Sequence, residues 1–319
     1  MRGLPLVATV IAGVLALVFP GLVNAYWLHV GVIALYYAIC AASWSLLVGY
    51  AGQFSFGLMA FASLGGYTSA LLVQWLAIPV PLGMVASVGV CAALGAGVGW
   101  VCLRIRGPYL AIFTLAFSEV LRIILVTEYS VTGGSGGLSV QQLFTGRTDV
   151  PYFYLALLLL AASLGIMALM VQSRWGLFFR AIRENEQAAA ACGVLVVRFR
   201  ILAFTVSSVF AGLAGAFYAH FIGIMTPNVG SVDEMGLVVA MTVIGGVECL
   251  PAVVGGALAV EFLVEALRSY GQWRLVLFGL LLLLTMRFAR NGLLAPFWQR
   301  LAPRRANPPV TATREGQPA

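Results

Sequence analysis

Ten apolar stretches divide the chain, separated by polar or turn-forming residues. They cover residues 4–23, 28–48, 54–75, 82–103, 108–126, 151–172, 201–222, 234–250, 251–270 and 273–288. A helix rises 1.5 Å per residue, so most of these can cross about 30 Å of hydrocarbon. No stretch has the residue-by-residue alternation of a membrane barrel. The pattern predicts an all-α integral membrane protein with about ten transmembrane helices. Residues 1–289 read as one transmembrane domain, and the Arg- and Pro-rich tail 290–319 is expected to be disordered. The first stretch has the length of a signal peptide, but no small-residue cleavage site clearly follows, so it reads as a span.

The longest polar interruption in the C-terminal half is 173–200, reading SRWGLFFRAIRENEQAAAACGVLVVRFR. It holds Arg174, Arg180, Arg183, Arg198 and Arg200. The Ala run 188–191, with Arg, Glu and Gln around it, favours a helix. Leu177, Phe178, Ala181, Ile182, Ala188, Ala189 and Cys192 recur at i, i+3, i+4 spacing and predict an apolar stripe over about 177–192. Gly193 stands where a helix C-terminus wants a residue free to take positive φ. Such a helix either docks on a partner, through Arg180, Arg183, Glu184, Asn185 and Glu186, or lies on the lipid surface.

Charge orients the bundle. The chain has eighteen Arg and no Lys. Ten spans with both termini cytoplasmic place fourteen Arg on the cytoplasmic side and only Arg122, Arg147, Arg268 and Arg274 outside, as the positive-inside rule requires. The net charge of +7 is spread over loops, which excludes a nucleic-acid-binding domain. With 61% apolar and 9% charged residues the chain is not a soluble domain. The five Cys lack paired spacing, and His29 and His220 are single, so no metal or disulfide is expected. No catalytic Ser/His/Asp set and no phosphate-binding Lys loop is present, so the chain is not expected to be an enzyme or to hydrolyse ATP itself.

Three intramembrane features carry candidate chemistry. The stretch Gly49-Tyr50-Ala51-Gly52-Gln53-Phe54-Ser55-Phe56-Gly57 permits a helix break, and Gln53 and Ser55 need partners there. It either packs tightly or borders a pathway. Glu119 lies about 18 Å from Gly107 within its span, with Arg122 at i+3. Glu261, Glu265 and Arg268 share one face at i, i+4 and i+7. Each acid either joins a structural pair or contacts substrate. Gly212-Leu213-Ala214-Gly215-Ala216 suits a close helix contact.

Four motifs in order resemble one family. Gly52-Gln53, Ser55 and Gly57, followed by an Ala-Phe segment and Gly66-Tyr67, are similar to its Gly-Gln-x-Ser-x-Gly signature. The run 106–119 (RGPYLA, then TLAFSE), the external Thr132-Gly133-Gly134-Ser135-Gly136-Gly137-Leu138 and the loop 180–193 complete the likeness. Gln187 replaces the usual loop Glu, and Gly136 stands where Asp is frequent. The chain resembles permeases of branched-chain amino acid ABC importers, of the LivM type. The resemblance implies a multi-pass protein of the bacterial inner membrane. Its partners would be a homologous second permease, two cytoplasmic ATPase subunits and an extracytoplasmic binding protein, within membrane lipid. It implies no cofactor, since ATP is used by the partners. It makes Arg180, Arg183, Glu184, Asn185, Glu186 and Gly193 the ATPase contact and Gly52, Gln53, Ser55 and Gly57 the translocation path, which the intramembrane Glu119 and Glu261 are expected to join. Urea or short-amide import, and ion-coupled secondary transport, remain the other readings of the same features.

Overall fold

The computed structural model describes residues 13, 16–102, 105, 108–144, 146, 148–270, 279, 280, 283, 287 and 292–294. Most of the expected first and tenth spans and nearly all of the tail 290–319 lie outside the described residues.

The described chain is a helical bundle. Helix α1 covers the described residues 16–22. Helix α2 runs Ala25–Tyr50 and closes on a π-helical turn, Leu46–Tyr50. Then come α3 (Leu58–Leu76), α4 (Val80–Val101), α5 (Pro108–Thr127) and a single turn, α6 (Tyr129–Thr132). Helices α7 (Val150–Gln172), α8 (Arg174–Glu184), α9 (Glu186–Ala191) and α10 (Val196–Ile222) follow. The last two are α11 (Val232–Gly245) and α12 (Leu250–Ala266). Prolines in the first turns of α4, α7 and α12 set helical φ where no amide partner is lost. Among the described residues, five helices are long and apolar enough to cross a membrane.

Helix α2 is the axis: 89% of its most apolar window is buried, and it packs on α7, α10, α11 and α12. Helix α10 packs on α2, α3 and α4. Lipid offers no hydrophobic drive between helices, so close packing of small residues must hold them together. The GLAGA stretch supplies it: a side chain at Gly215 would overlap the Ala62 carbonyl, so α10 and α3 touch backbone to backbone.

The linkers sort to two ends. The turn after α2, Ile105, the α8–α9 segment and the α11–α12 connection meet at one end, called here the loop end. The opposite end gathers Tyr26, His29, Asp149, Gln141, His220 and Arg268. There the Gly-rich stretch 133–137 takes positive φ at Gly133, Gly134 and Gly137 and leads into β1 (Leu138–Ser139), which pairs antiparallel with β2 (Ile224–Met225).

Two expected elements differ in form. The single loop helix over 177–192 is two helices, because Asn185 is extended (φ −158°, ψ 106°). The expected span 234–250 is the 14-residue helix α11, only about 21 Å long. Ahead of it the chain re-enters the bundle. Tyr67 Oη donates to Met225 O at 3.1 Å, and Gly230 lies against Ser63, one turn and a half into α3. Ser118 Oγ donates to Gly230 O at 3.2 Å. Irregular backbone at that depth needs protein or water around it, and these bonds supply the protein.

Candidate functional site

The loop end brings together two motifs that lie far apart in sequence. Ser173 begins α8 by accepting the Trp175 amide at 3.2 Å. Asn185 ends α8 and caps α9, its Oδ1 accepting the amides of Gln187 and Ala188, both at 3.0 Å. After α9, Gly193 takes φ 82°, with Val194 N bonding Ala189 O at 3.1 Å and Gly193 N bonding Ala190 O at 3.0 Å. That double bond pattern closes a helix through a left-handed residue, as Gly193 was expected to do.

The apolar stripe divides. Of its residues, Ile182 and Ala189 are buried against the bundle, together with Phe179, which the expected stripe left out; Phe178 and Phe179 pack on Phe199 at ring distances of 4.8 and 6.1 Å. Leu177, Ala181, Ala188 and Cys192 face outward, with Arg180 and Glu184 among them.

Arg183 ties this loop to two other linkers. Its Nη1 donates to Gly49 O, at the end of α2. The same nitrogen pairs with Glu248 Oε1 at 2.8 Å, and Nη2 pairs with Glu184 Oε1 at 3.1 Å. Partial burial works against the guanidinium charge. The carboxylates of Glu184 and Glu248 more than offset it, so the Arg183 pKa is raised. Gly52 takes φ 68°, and a Cβ there would stand 2.6 Å from Arg183 Cγ, so only Gly lets the guanidinium pass. Arg180 lies 5.7 Å above the Tyr50 ring, and Tyr50 Oη donates to Glu248 O at 2.7 Å. Glu186 pairs with the mostly buried Arg200 at 3.4 Å.

The signature 52–57 sits directly beside the loop. Gln53 is 3% exposed and donates to Arg200 O at 3.1 Å; Ser55 is 1% exposed and accepts the Gly57 amide at 3.2 Å. Trp44 Nε1 donates to Ser55 O at 2.7 Å, pinning the turn to α2. Gly52 and Phe54 are exposed. A polar cleft of about 220 Å³ opens between Gly52, Gln53, Arg183, Glu184, Glu186 and Arg200.

The intramembrane acids have different surroundings. Glu119 is held by Arg122, whose Nε donates to both carboxylate oxygens at 3.1 and 3.0 Å. Glu265 pairs with Arg268 at 2.9 Å and accepts from Tyr26 Oη. Glu261 is 8% exposed, and its Oε2 has no hydrogen-bond partner among the described residues. Near it lies Glu234, which accepts from Tyr37 Oη at 2.5 Å.

Sequence reasoning passed over Glu234, Glu248, Tyr37 and Tyr50. Glu234 carried a signal, since Ser231 three residues earlier makes an N-cap, and its Oγ accepts the Glu234 amide at 3.4 Å. The others depend on helices distant in sequence.

An all-α bundle with apolar spans, intramembrane acids and a capped polar loop at one end defines a multi-pass membrane protein. Its family follows from comparison. The family described as "Branched-chain amino acid transport system / permease component" matches residues 26–286, and the chain belongs to it. The high-affinity branched-chain amino acid transport system permease protein LivM of Escherichia coli (strain K12) is 30% identical over 315 residues, covering 88% of this chain and 73% of the relative. LivM of Salmonella typhimurium matches to the same extent. The fructose import permease FrcC of Rhizobium meliloti is 27% identical over 218 residues, 60% of each chain. No solved structure matches.

Proposed function

We propose that this permease is one half of the membrane pore of an ABC importer for branched-chain amino acids. A homologous permease would complete the pore, two ATPase subunits would drive it from the cytoplasm, and an extracytoplasmic binding protein would feed it. The bundle, residues 1–289, would have ten spans in the bacterial inner membrane with both termini cytoplasmic, and 290–319 would be a cytoplasmic tail. The protein itself would carry no cofactor.

The carrying observation is Arg183. An α8–α9 unit docked on an ATPase could pass motion to its flanking spans only, were it not also bonded to Gly49 and Glu248. Those bonds reach α2, α11 and α12 as well. The exposed Arg180, Glu184, Asn185 and Gly193, with Glu186 beside them, form the ATPase-facing surface. Gly52, Gln53, Ser55 and Gly57 border the path at the loop end, and Glu119 and Glu261 lie farther along it. Support for the orientation comes from the linkers: those that the Arg asymmetry assigns to the cytoplasm converge on one end of the bundle.

Reporter fusions test it, with Glu186 expected inside and Ser135 outside; the reverse at either position refutes the topology. A second reading, a loop lying on lipid, draws on exposed Trp175 and Leu177. Charge reversals R180E and E184R separate the two. Docking expects weakened ATPase binding, whereas the lipid reading expects altered membrane insertion with ATPase stimulation intact.

A further inference from the structure

Helix α11 begins inside the bundle, and its first turn is acidic. Asp233 and Glu234 occupy that turn, complementing the positive end of the helix. Asp233 is exposed on the surface of this chain. A carboxylate facing lipid well inside the membrane costs several kcal/mol, so this face is turned to protein or to water. Glu234 reaches inward to Tyr37, in the middle of α2. Glu261 lies about 16 Å along α12 from Leu250, a comparable depth.

Helices α2, α11 and α12 pack pairwise on one another, so the elements that carry Tyr37, Glu234 and Glu261 meet here. The Tyr36 ring lies 5.0 Å from Tyr37 and 4.6 Å from Tyr218. Among the described residues, neither Glu234 nor Glu261 forms an ion pair with a cation. The buried Glu261 Oε2 has no hydrogen-bond partner among the described residues. A buried carboxylate oxygen without a donor is costly unless something visits it.

The geometry points to a transient binding site for an alkylammonium group, formed by Glu234 and Glu261 with the phenol of Tyr37, where the re-entrant start of α11 meets α2 and α12. Resting on the branched-chain reading above, the natural ligand is the ammonium end of the amino acid in transit. An ammonium group supplies the donor that Glu261 Oε2 lacks, and the surrounding rings and helices suit an aliphatic side chain. The second carboxylate raises selectivity for cations over a neutral amide such as urea.

The test uses the complete importer in lipid nanodiscs without its binding protein, so that no other site reports. Thermal unfolding is followed with leucine, with leucinol (the cation without the carboxylate) and with 4-methylpentanoate (the carboxylate without the ammonium). Leucine and leucinol are expected to raise the midpoint in the wild type, and 4-methylpentanoate is not. Glu261→Gln should abolish the rise, and in proteoliposomes with binding protein it should lower leucine uptake per ATP hydrolysed by about tenfold. Should Glu234→Gln fail to assemble through loss of its Tyr37 bond, Glu261→Gln remains decisive, because its Oε2 has no bond to lose. An equal response to 4-methylpentanoate, no response in the wild type, or a wild-type response in Glu261→Gln overturns the site. Wild-type leucine uptake is measured alongside. Its absence, with the leucinol response intact, would refute the branched-chain reading and leave the ammonium site standing.

Discussion

Replacing Arg183 with Gln should uncouple ATP hydrolysis from uptake, and the structure says which of its contacts matters. The bond to the Gly49 carbonyl uses a charged donor whose side chain is 27% exposed. Such bonds contribute about 1.5–3 kcal/mol. The carboxylates of Glu248 and Glu184 are 65% and 74% exposed, so each pair is screened by water and contributes about 0.2–1 kcal/mol. The backbone contact therefore dominates. Arg183→Gln should weaken the tie between the loop and the end of α2 by about 2 kcal/mol or more, while Glu248→Gln removes about 0.5 kcal/mol. At about 1.4 kcal/mol per factor of ten, uptake per ATP should fall more than tenfold in the first variant and about twofold in the second. Gly52→Ala, which drives a Cβ against Arg183, should resemble Arg183→Gln. The assay is labelled leucine uptake and phosphate release in the same proteoliposomes, with saturating loaded binding protein. Equal defects in Arg183→Gln and Glu248→Gln would place the coupling in the ion pair; a wild-type ratio in Arg183→Gln would remove this residue from the mechanism.

Further outcomes follow from the loop and its neighbouring turn. Asn185→Ala should cost about 1 kcal/mol of α9 stability, seen as faster hydrogen exchange at the Gln187 and Ala188 amides; unchanged exchange there would dismiss the cap. Gly193→Val meets open space but a φ of 82°, so it should strain the backbone by about 1–3 kcal/mol and uncouple transport while the complex still assembles. Normal substrate-stimulated hydrolysis with normal uptake in that variant would free the loop of any role. A cysteine replacing Phe54 should react with soluble thiol reagents in every nucleotide state. Cysteines replacing Gln53 and Ser55 should react only in states where the turn opens; inert thiols at both throughout would make the turn mere packing.

How much of this was legible depended on whether the cause was local. Gly193 was readable because a left-handed cap is set by the residue itself and by the Ala run before it. The Glu119–Arg122 and Glu265–Arg268 pairs were readable from helical spacing alone. The break at Asn185 was written as an N-cap residue, yet good helix formers on both sides masked it. Glu248 was hidden because its partner Arg183 lies in another linker, and because 234–250 reads as one uninterrupted apolar span. The re-entrant path to Gly230 was hidden for a related reason. Hydropathy records what a segment avoids, not whether lipid or protein keeps it from water, so a half-length helix behind a buried loop looks like a short span.

Helix α11 joins the two polar regions. Its first turn holds Glu234 against Tyr37, and the connection just past its last turn holds Glu248 against Arg183. The helix itself is 14 residues, about 21 Å, long. Gly246, at φ 114°, ends α11, and Gly245 packs on the backbone of Ala252 and Val253, so α11 and α12 are locked together at the loop end. A displacement of α8 that pulls Arg183 would act on the α11–α12 corner. A rigid pair pivoting there moves most at its far side, where Glu234 on α11 and Glu261 on α12 lie. The shorter α11 suits this role: a full-length span would place its acidic first turn at the membrane surface, out of reach of Glu261, whereas a half-length one brings it to mid-depth. Nitroxide labels replacing Gly236 on α11 and Leu263 on α12, both exposed, give the pair distance in each nucleotide state. A change between the nucleotide-free and ATP-bound importer that disappears in Arg183→Gln is expected. A distance that never changes, or that changes equally without Arg183, would break the link between the loop and the acids.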